Sequence, residues 1–317
     1  MPSKLDQLKQ WTIVTADTGD IGAIAQYRPQ DCTTNPSLIL KAAGMEEHRD
    51  LVEEAVLWGL SHGAATSRVA QRLAVNFGAE LTKLVPGRVS TEVDADLSFD
   101  IEGTVHQARE IIADYHQRGV GRERVLIKVA ATWEGIQAAS ILQKEAIDCN
   151  LTLVFSLAQA AAAFEAGAYL ISPFVGRILD WHVKNMGKTY TAETDPGVLS
   201  VKEIYAYAKS VEAKTIVMGA SFRNQGEIEA LAGCDSLTIA PALLDQLAKD
   251  EGALVRALEP NDKLLAPAQM FLDEKSFRFM LNEDAMATEK LAEGIRVFAR
   301  DLRALRELVS ARLTMAA

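Results

Sequence analysis

The chain of 317 residues is most informative at first through what it has little of. It carries three cysteines, Cys32, Cys149 and Cys234, with no CxxC spacing. So sparse and odd a set argues against a disulfide framework and suits a reducing compartment, with Cys32 and Cys149 reading as core volume. No stretch approaches the length of apolar chain that a membrane span requires. The opening Met1-Pro2-Ser3-Lys4-Leu5-Asp6 lacks the apolar core of a secretory leader. A cytoplasmic location is therefore expected. Positive charge is in deficit: 33 Lys and Arg against 43 Asp and Glu leave a formal charge of -10, with a pI near 5.1. That balance works against nucleic acid and anionic membranes as partners, so an anionic ligand would need local cations.

Two motif absences narrow the field further. The five histidines (His48, His62, His106, His116, His182) fall mostly in predicted helices, without HxxxH or HExxH spacing. Each reads as a surface or packing residue, which disfavours a metal-dependent aldolase. The segment Ala16-Asp17-Thr18-Gly19-Asp20-Ile21-Gly22 fits neither GxGxxG nor GxxxxGK, which weakens an open, doubly wound nucleotide-binding sheet. Asn150-Leu151-Thr152 matches a glycosylation acceptor formally, but it falls in a strand predicted to be buried.

What is present points to one large α/β unit spanning 1–317. The chain is 49% hydrophobic with a mean hydropathy of +0.03, enough for an extensive core. Eight short β-rich runs recur: Ile13–Asp17, Asp31–Asn35, Val89–Asp94, Val125–Ala130, Cys149–Phe155, Tyr169–Phe174, Thr215–Gly219 and Leu237–Ala240. Helical periodicity fills the gaps, over Glu46–Leu60, Glu102–His116, Glu134–Lys144, Leu157–Glu165, Val201–Val211 and Glu227–Ala232. Gly119, Gly167 and Gly233 stand where C-terminal caps belong. The long connection Ser37 to Arg88 has room for two or three helices. Strands alternating with helices imply parallel pairing through right-handed crossovers, and a count of eight predicts a (β/α)8 barrel, the TIM barrel fold. After a less regular stretch, Glu259–Asn282, the tail from Glu283 to Ala317 predicts a long amphipathic helix with Leu291, Ile295, Phe298, Leu302 and Leu305 on one face. That helix is expected to pack across the barrel or at a subunit contact.

Strand parity then sorts side chains. In the fourth run Val125, Ile127 and Val129 take the helix-facing side, which points Lys128 inward with Leu126 and Ala130. In the fifth, Leu151, Leu153 and Phe155 face the helices, leaving Asn150 and Thr152 inside. In the third, Ser90, Glu92 and Asp94 face in. Asp17 and Asn35 end the first two runs, and Ser172 points inward near the end of the sixth. A packed barrel interior favours Val, Ile and Leu, so polar inward residues gathered near strand C-termini mark a catalytic mouth. Lys128 is the hardest of these to explain structurally. Burial among Val, Leu, Ile and Ala favours the neutral, nucleophilic amine, although a buried ion pair with Glu92 or Asp17 is the plainer alternative. A nucleophilic amine among carboxylates and hydroxyls suggests imine chemistry at a carbonyl, followed by carbon–carbon cleavage.

At this level the sequence resembles the transaldolase family. The resemblance is carried in order by Ala16-Asp17-Thr18-Gly19-Asp20, Thr33-Thr34-Asn35-Pro36-Ser37-Leu38, Ser90-Thr91-Glu92-Val93-Asp94, Leu126-Ile127-Lys128-Val129-Ala130, Cys149-Asn150-Leu151-Thr152-Leu153, Ser172-Pro173-Phe174-Val175-Gly176-Arg177-Ile178-Leu179-Asp180-Trp181 and Met218-Gly219-Ala220-Ser221-Phe222-Arg223. It covers about residues 4 to 300 and matches the longer type with an extra C-terminal helix. The stretch Ala64–Ser67 is shorter than in relatives, and Ala257–Gln269 is more divergent.

The resemblance implies a lysine Schiff-base transferase of the pentose phosphate pathway that uses no cofactor or metal. It would move a dihydroxyacetone unit from sedoheptulose 7-phosphate to glyceraldehyde 3-phosphate, giving erythrose 4-phosphate and fructose 6-phosphate. Lys128 would form the imine, and Glu92 would be the acid/base through a water held with Thr152. Asp17 would handle the donor hydroxyl proton. Thr33, Asn35 and Asn150 would line or hold the dihydroxyacetone portion, and Ser172 its terminal hydroxyl. Arg177, Arg223 and Ser221 would take the phosphate. A homodimer is implied as well, with the C-terminal helix as candidate interface.

Other readings remain at this stage. One is a fructose 6-phosphate aldolase that releases free dihydroxyacetone. Phe174 argues against it, because a side chain without a hydroxyl cannot help water protonate the enamine. Another is a non-catalytic sugar-phosphate binding barrel, for which a replaced lysine or carboxylate would be expected.

Overall fold

The computed structural model describes residues 2–260 and 266–316. Eight parallel strands close into a barrel in sequence order: β1 (Ile13–Asp17), β2 (Asp31–Thr33), β3 (Val89–Glu92), β4 (Val125–Ala130), β5 (Cys149–Val154), β6 (Leu170–Pro173), β7 (Ile216–Gly219) and β8 (Ser236–Ile239). β8 pairs with β1, which closes the ring. The expected (β/α)8 architecture is therefore borne out. No helix among the described residues is long and apolar enough to cross a membrane.

Several predicted strands stop short at their C-terminal ends, and side-chain capping explains it. β2 ends at Thr33 because Asn35 leaves the ladder to cap the helix Pro36–Ala43, its Oδ1 accepting from the Leu38 N–H at 3.0 Å. Pro36 at the first helical turn reinforces the same break. β3 ends at Glu92, and Asp94 caps a short 3-10 helix over Ala95–Leu97 instead of pointing into the barrel. Asp94 also pairs with Arg306 of the C-terminal helix, so its inward assignment is corrected.

Parity holds through β4. Val125, Ile127 and Val129 join the core between barrel and helices, whereas Leu126 packs inside with Leu170 and Met218. It fails past Thr152 in β5. Leu153 adopts a positive φ of 58°, and the register against β6 shifts between Leu151 and Val154. This bulge hands the helix-facing side to Val154 and turns Leu153 and Phe155 toward the C-terminal helix.

The connection from Ser37 to Arg88 holds the helices Arg49–His62 and Thr66–Leu84 after the end of Pro36–Ala43. Gly119, Gly167 and Gly233 all have positive φ, as expected of cap positions. The stretch read as less regular, Glu259–Asn282, holds all but the last residue of a helix over Glu274–Glu283, capped by Asp273; residues 261–265 of it lie outside the described residues. That helix was hard to see because Phe277 is its one buried side chain. The C-terminal helix runs from Ala285 to Ala316. Its Leu291, Ile295 and Phe298 pack over the barrel mouth, and Leu305 and Val309 pack on the helices between β2 and β3.

Candidate active site

Strand register sets the site before any side chain is considered. Glu92 stands level with Lys128 across β3 and β4, Lys128 with Asn150 across β4 and β5, and Asp17 with Thr33 across β1 and β2. Because alternate residues point inward, these polar side chains gather inside the barrel, where Leu126, Leu170 and Met218 form a separate apolar cluster.

Lys128 Nζ lies 3.5 Å from Glu92 Oε2 and donates to the Thr34 carbonyl at 3.2 Å, with both charged side chains about 5–6% exposed. Burial pushes the Glu92 carboxyl up to about 7, against the opposing pull of the Lys128 and Arg177 charges. Burial likewise raises Asp17 above the usual carboxylate range; Lys128 and a 2.9 Å hydrogen bond from Thr33 Oγ1 offset this in part. A carboxyl near neutrality gives and takes protons at working pH. The ion pair weighed as the plainer reading is thus present, in the geometry that proton transfer to and from the amine also needs.

Two polar atoms of the site, Glu92 Oε2 and Thr152 Oγ1, are buried without a hydrogen-bond partner among the described residues. Buried polar groups are ordinarily satisfied, so an unsatisfied pair beside a lysine marks a place for an outside partner. Asn150 is locked from both sides: its amide donates to Ser90 Oγ at 3.1 Å, and its Oδ1 accepts from Ser172 Oγ at 2.7 Å. Asn35 spends its Oδ1 on the helix cap, which fixes the orientation of its amide nitrogen.

A small cavity, of about 60 Å³, is lined by Asp17, Thr33, Asn35, Lys128, Thr152, Ser172, Phe174, Arg177 and Ser221. Glu92, Asn150 and Arg223 each touch one of these residues, through Lys128, Ser172 and Ser221 respectively. All the sequence-predicted residues therefore gather at one end of the barrel. Phe174 stacks edge-on against Phe155 at 5.4 Å, below Arg177. Ser221 sits at a positive φ of 64° in the loop after β7. Gly176 permits the close approach of that loop, since a Cβ there would meet the Ser221 carbonyl at 2.5 Å.

Sequence reasoning missed Thr238, Met218, Ala220 and Phe298, which complete the lining. Thr238 was within reach of the parity argument, since Leu237 and Ile239 face the helices and leave it inward, 2.7 Å from Thr33 Oγ1. Phe298 was not, because only tertiary packing brings its helix over the mouth. Among the described residues one group, Asp20, Glu47 and His48, brings possible metal-ligand atoms within 4.8 Å of one another. None of the three lines the cavity, and His48 packs edge-on against Phe77.

Fold and site together define a (β/α)8 barrel whose mouth sets a buried lysine beside two raised carboxyls, an arrangement suited to lysine-dependent aldol chemistry. The family model for transaldolase and fructose 6-phosphate aldolase matches residues 14–309. Over the full length of both chains, the sequence is 64% identical to a transaldolase of Rhizobium etli and 63% identical to one of Agrobacterium fabrum. It is also 58% identical to a transaldolase of a Marinomonas species, over 99% of this chain and all of that one. The chain belongs to the transaldolase family. Its activity is that of a transaldolase, a transferase of the pentose phosphate pathway that binds sugar phosphates.

Proposed function

We propose that the chain transfers a dihydroxyacetone unit from sedoheptulose 7-phosphate to glyceraldehyde 3-phosphate through an imine on Lys128. The observation that carries this reading is the approach of Lys128 Nζ to within 3.5 Å of Glu92 Oε2, beside a cavity that Asp17 and Thr152 also line. The free amine adds to the ketose C2 carbonyl. Glu92, in its protonated form, delivers a proton through a water held with Thr152 as the C2 hydroxyl departs as water, leaving the iminium. Asp17 accepts the C4 hydroxyl proton, the C3–C4 bond breaks, and its electron pair enters the iminium to give an enamine. Erythrose 4-phosphate leaves. The enamine carbon then attacks the aldehyde of glyceraldehyde 3-phosphate, Asp17 returns its proton, and hydrolysis of the new imine frees fructose 6-phosphate.

Thr33, Asn35, Asn150 and Ser172 hold the hydroxyls of the three-carbon unit, with Asn150 and Ser172 fixed by the hydrogen bond between them. Arg177, Arg223 and Ser221 hold the phosphate on the rim. Phe174 brings no hydroxyl to the enamine, so the unit waits for an acceptor. The enzyme works in the cytoplasm as a homodimer of the 34.5 kDa chain, folded as one domain over 1–317.

Product analysis tests the reading. With sedoheptulose 7-phosphate and glyceraldehyde 3-phosphate, erythrose 4-phosphate and fructose 6-phosphate are expected in equal amounts. Fructose 6-phosphate given alone should yield no appreciable free dihydroxyacetone; its accumulation would contradict transfer. Light scattering at the mass of a single chain would contradict the dimer.

A further inference from the structure

The two arginines at the rim are held in different ways. Arg223 is committed to the chain: Nη2 lies 2.7 Å from Asp180 Oδ2, Nη1 3.3 Å from Ser221 Oγ, and its backbone N–H donates to Glu227 at 2.7 Å. Arg177 has no ion pair or side-chain hydrogen bond among the described residues. Its guanidinium carbon lies 5.0 Å from the ring centre of Phe174 and 5.5 Å from that of Phe298 instead. Ring faces attract a guanidinium while leaving its N–H edge unoccupied. Burial, with Arg223 next in effect, lowers the Arg177 pKa from the usual arginine value, so an incoming anion would relieve an unfavourable environment.

The C-terminal helix supplies half of this setting. Phe298 is 2% exposed and lines the cavity. One turn earlier, Gly294 lies so close that a Cβ there would stand 3.3 Å from Arg177 Nη1 and 2.7 Å from Leu153 Cδ2. The positive φ at Leu153 places that side chain under the same helix. Ring and bare backbone thus bound the space in which the guanidinium rests.

We propose that Phe298 and Gly294 are positioning residues for phosphate recognition, holding the Arg177 guanidinium with its N–H edge free for the phosphate of the sugar substrates. This rests on the reading of Arg177 as a phosphate partner. Positioning of this kind acts on phosphorylated acceptors specifically, whereas general damage to the mouth would act on every acceptor.

The test compares glyceraldehyde 3-phosphate with unphosphorylated D-glyceraldehyde as acceptor, at saturating sedoheptulose 7-phosphate, in the full chain. Phe298→Leu should lower the ratio of the two kcat/KM values by about tenfold, mainly through KM for the phosphorylated acceptor. Gly294→Ala, an independent variant, should lower it in the same direction. Both should weaken competitive inhibition by inorganic phosphate, and Phe298→Tyr, which keeps the ring face, should retain the ratio. The proposal is overturned if Phe298→Leu and Gly294→Ala depress both acceptors alike, or if Phe298→Tyr loses as much as Phe298→Leu. Arg177→Leu separates the two levels. If it leaves the ratio unchanged, the phosphate reading of Arg177 fails and the proposal falls with it. If it lowers the ratio while the helix variants do not, the positioning proposal alone fails.

Discussion

At the scale of single residues, the account turns on how two carboxyls share a site with one amine. Glu92 and Asp17 are both raised by burial, and Glu92 reaches about 7. In the proposed mechanism, protonation of the departing hydroxyl needs the acid form of Glu92, which is lost as pH rises through that value. The rate of imine formation should therefore fall on the alkaline side of a limb near 7, measured as the pH profile of kcat/KM for the donor. Glu92→Gln should remove that limb and lower kcat by roughly 10²–10⁴-fold. A limb that persists in Glu92→Gln would assign the titration to another group. The placement of these residues was legible in sequence, because a lysine in an apolar strand and carboxyls at strand ends are visible by parity; the roles proposed for them came from the resemblance. Which atoms lack partners was not legible. That Thr152 Oγ1 is unsatisfied while Ser172 Oγ is bound to Asn150 depends on distances within the closed ring.

Elements convert these residues into a site, and some of them serve two ends. Asn35 caps the helix Pro36–Ala43 with the same side chain that lines the cavity. Asn35→Ala should accordingly lose about 1 kcal/mol of stability in denaturant titration as well as activity, whereas Asn35→Asp should keep the cap. The C-terminal helix is likewise both structural and functional. Leu305 is 1% exposed between it and the helices from Pro36–Ala43 to Thr66–Leu84. Leu305→Ala should cost about 2–5 kcal/mol on unfolding, and an unchanged midpoint would mean that this end of the helix is loosely held. Sequence periodicity found the helix and its buried stripe. It did not find the bulge at Leu153, because a residue with positive φ in the middle of a strand leaves no signature when it is leucine rather than glycine. For the same reason the contact of Phe298 with the site was invisible: amphipathicity fixes which face is buried but not against what.

For the whole molecule, the buried carboxyls tie activity to stability. Between the ordinary glutamate value and about 7, the folded chain retains a proton on Glu92 that the unfolded chain has released. A group raised in this way lowers stability as pH rises through that window, and Asp17 acts in the same direction. The melting temperature of Glu92→Gln should therefore fall less steeply than that of the parent chain between pH 5 and roughly 7, measured by thermal unfolding. A steeper fall would contradict the raised value. The barrel itself was the most legible feature of all, since eight alternations of strand and helix leave few topologies. Its formal charge of -10 also fits a site that concentrates its own cations, Lys128, Arg177 and Arg223, at one end of the barrel instead of relying on the overall field.

The central claim is that Lys128 bonds covalently to the ketose. Borohydride reduction of the full chain in the presence of fructose 6-phosphate, followed by peptide mapping, tests it most directly. The account predicts one stable three-carbon or hexose-phosphate adduct on the peptide that carries Lys128, with loss of activity in proportion to labelling. An adduct on another residue, or none at all, would contradict it.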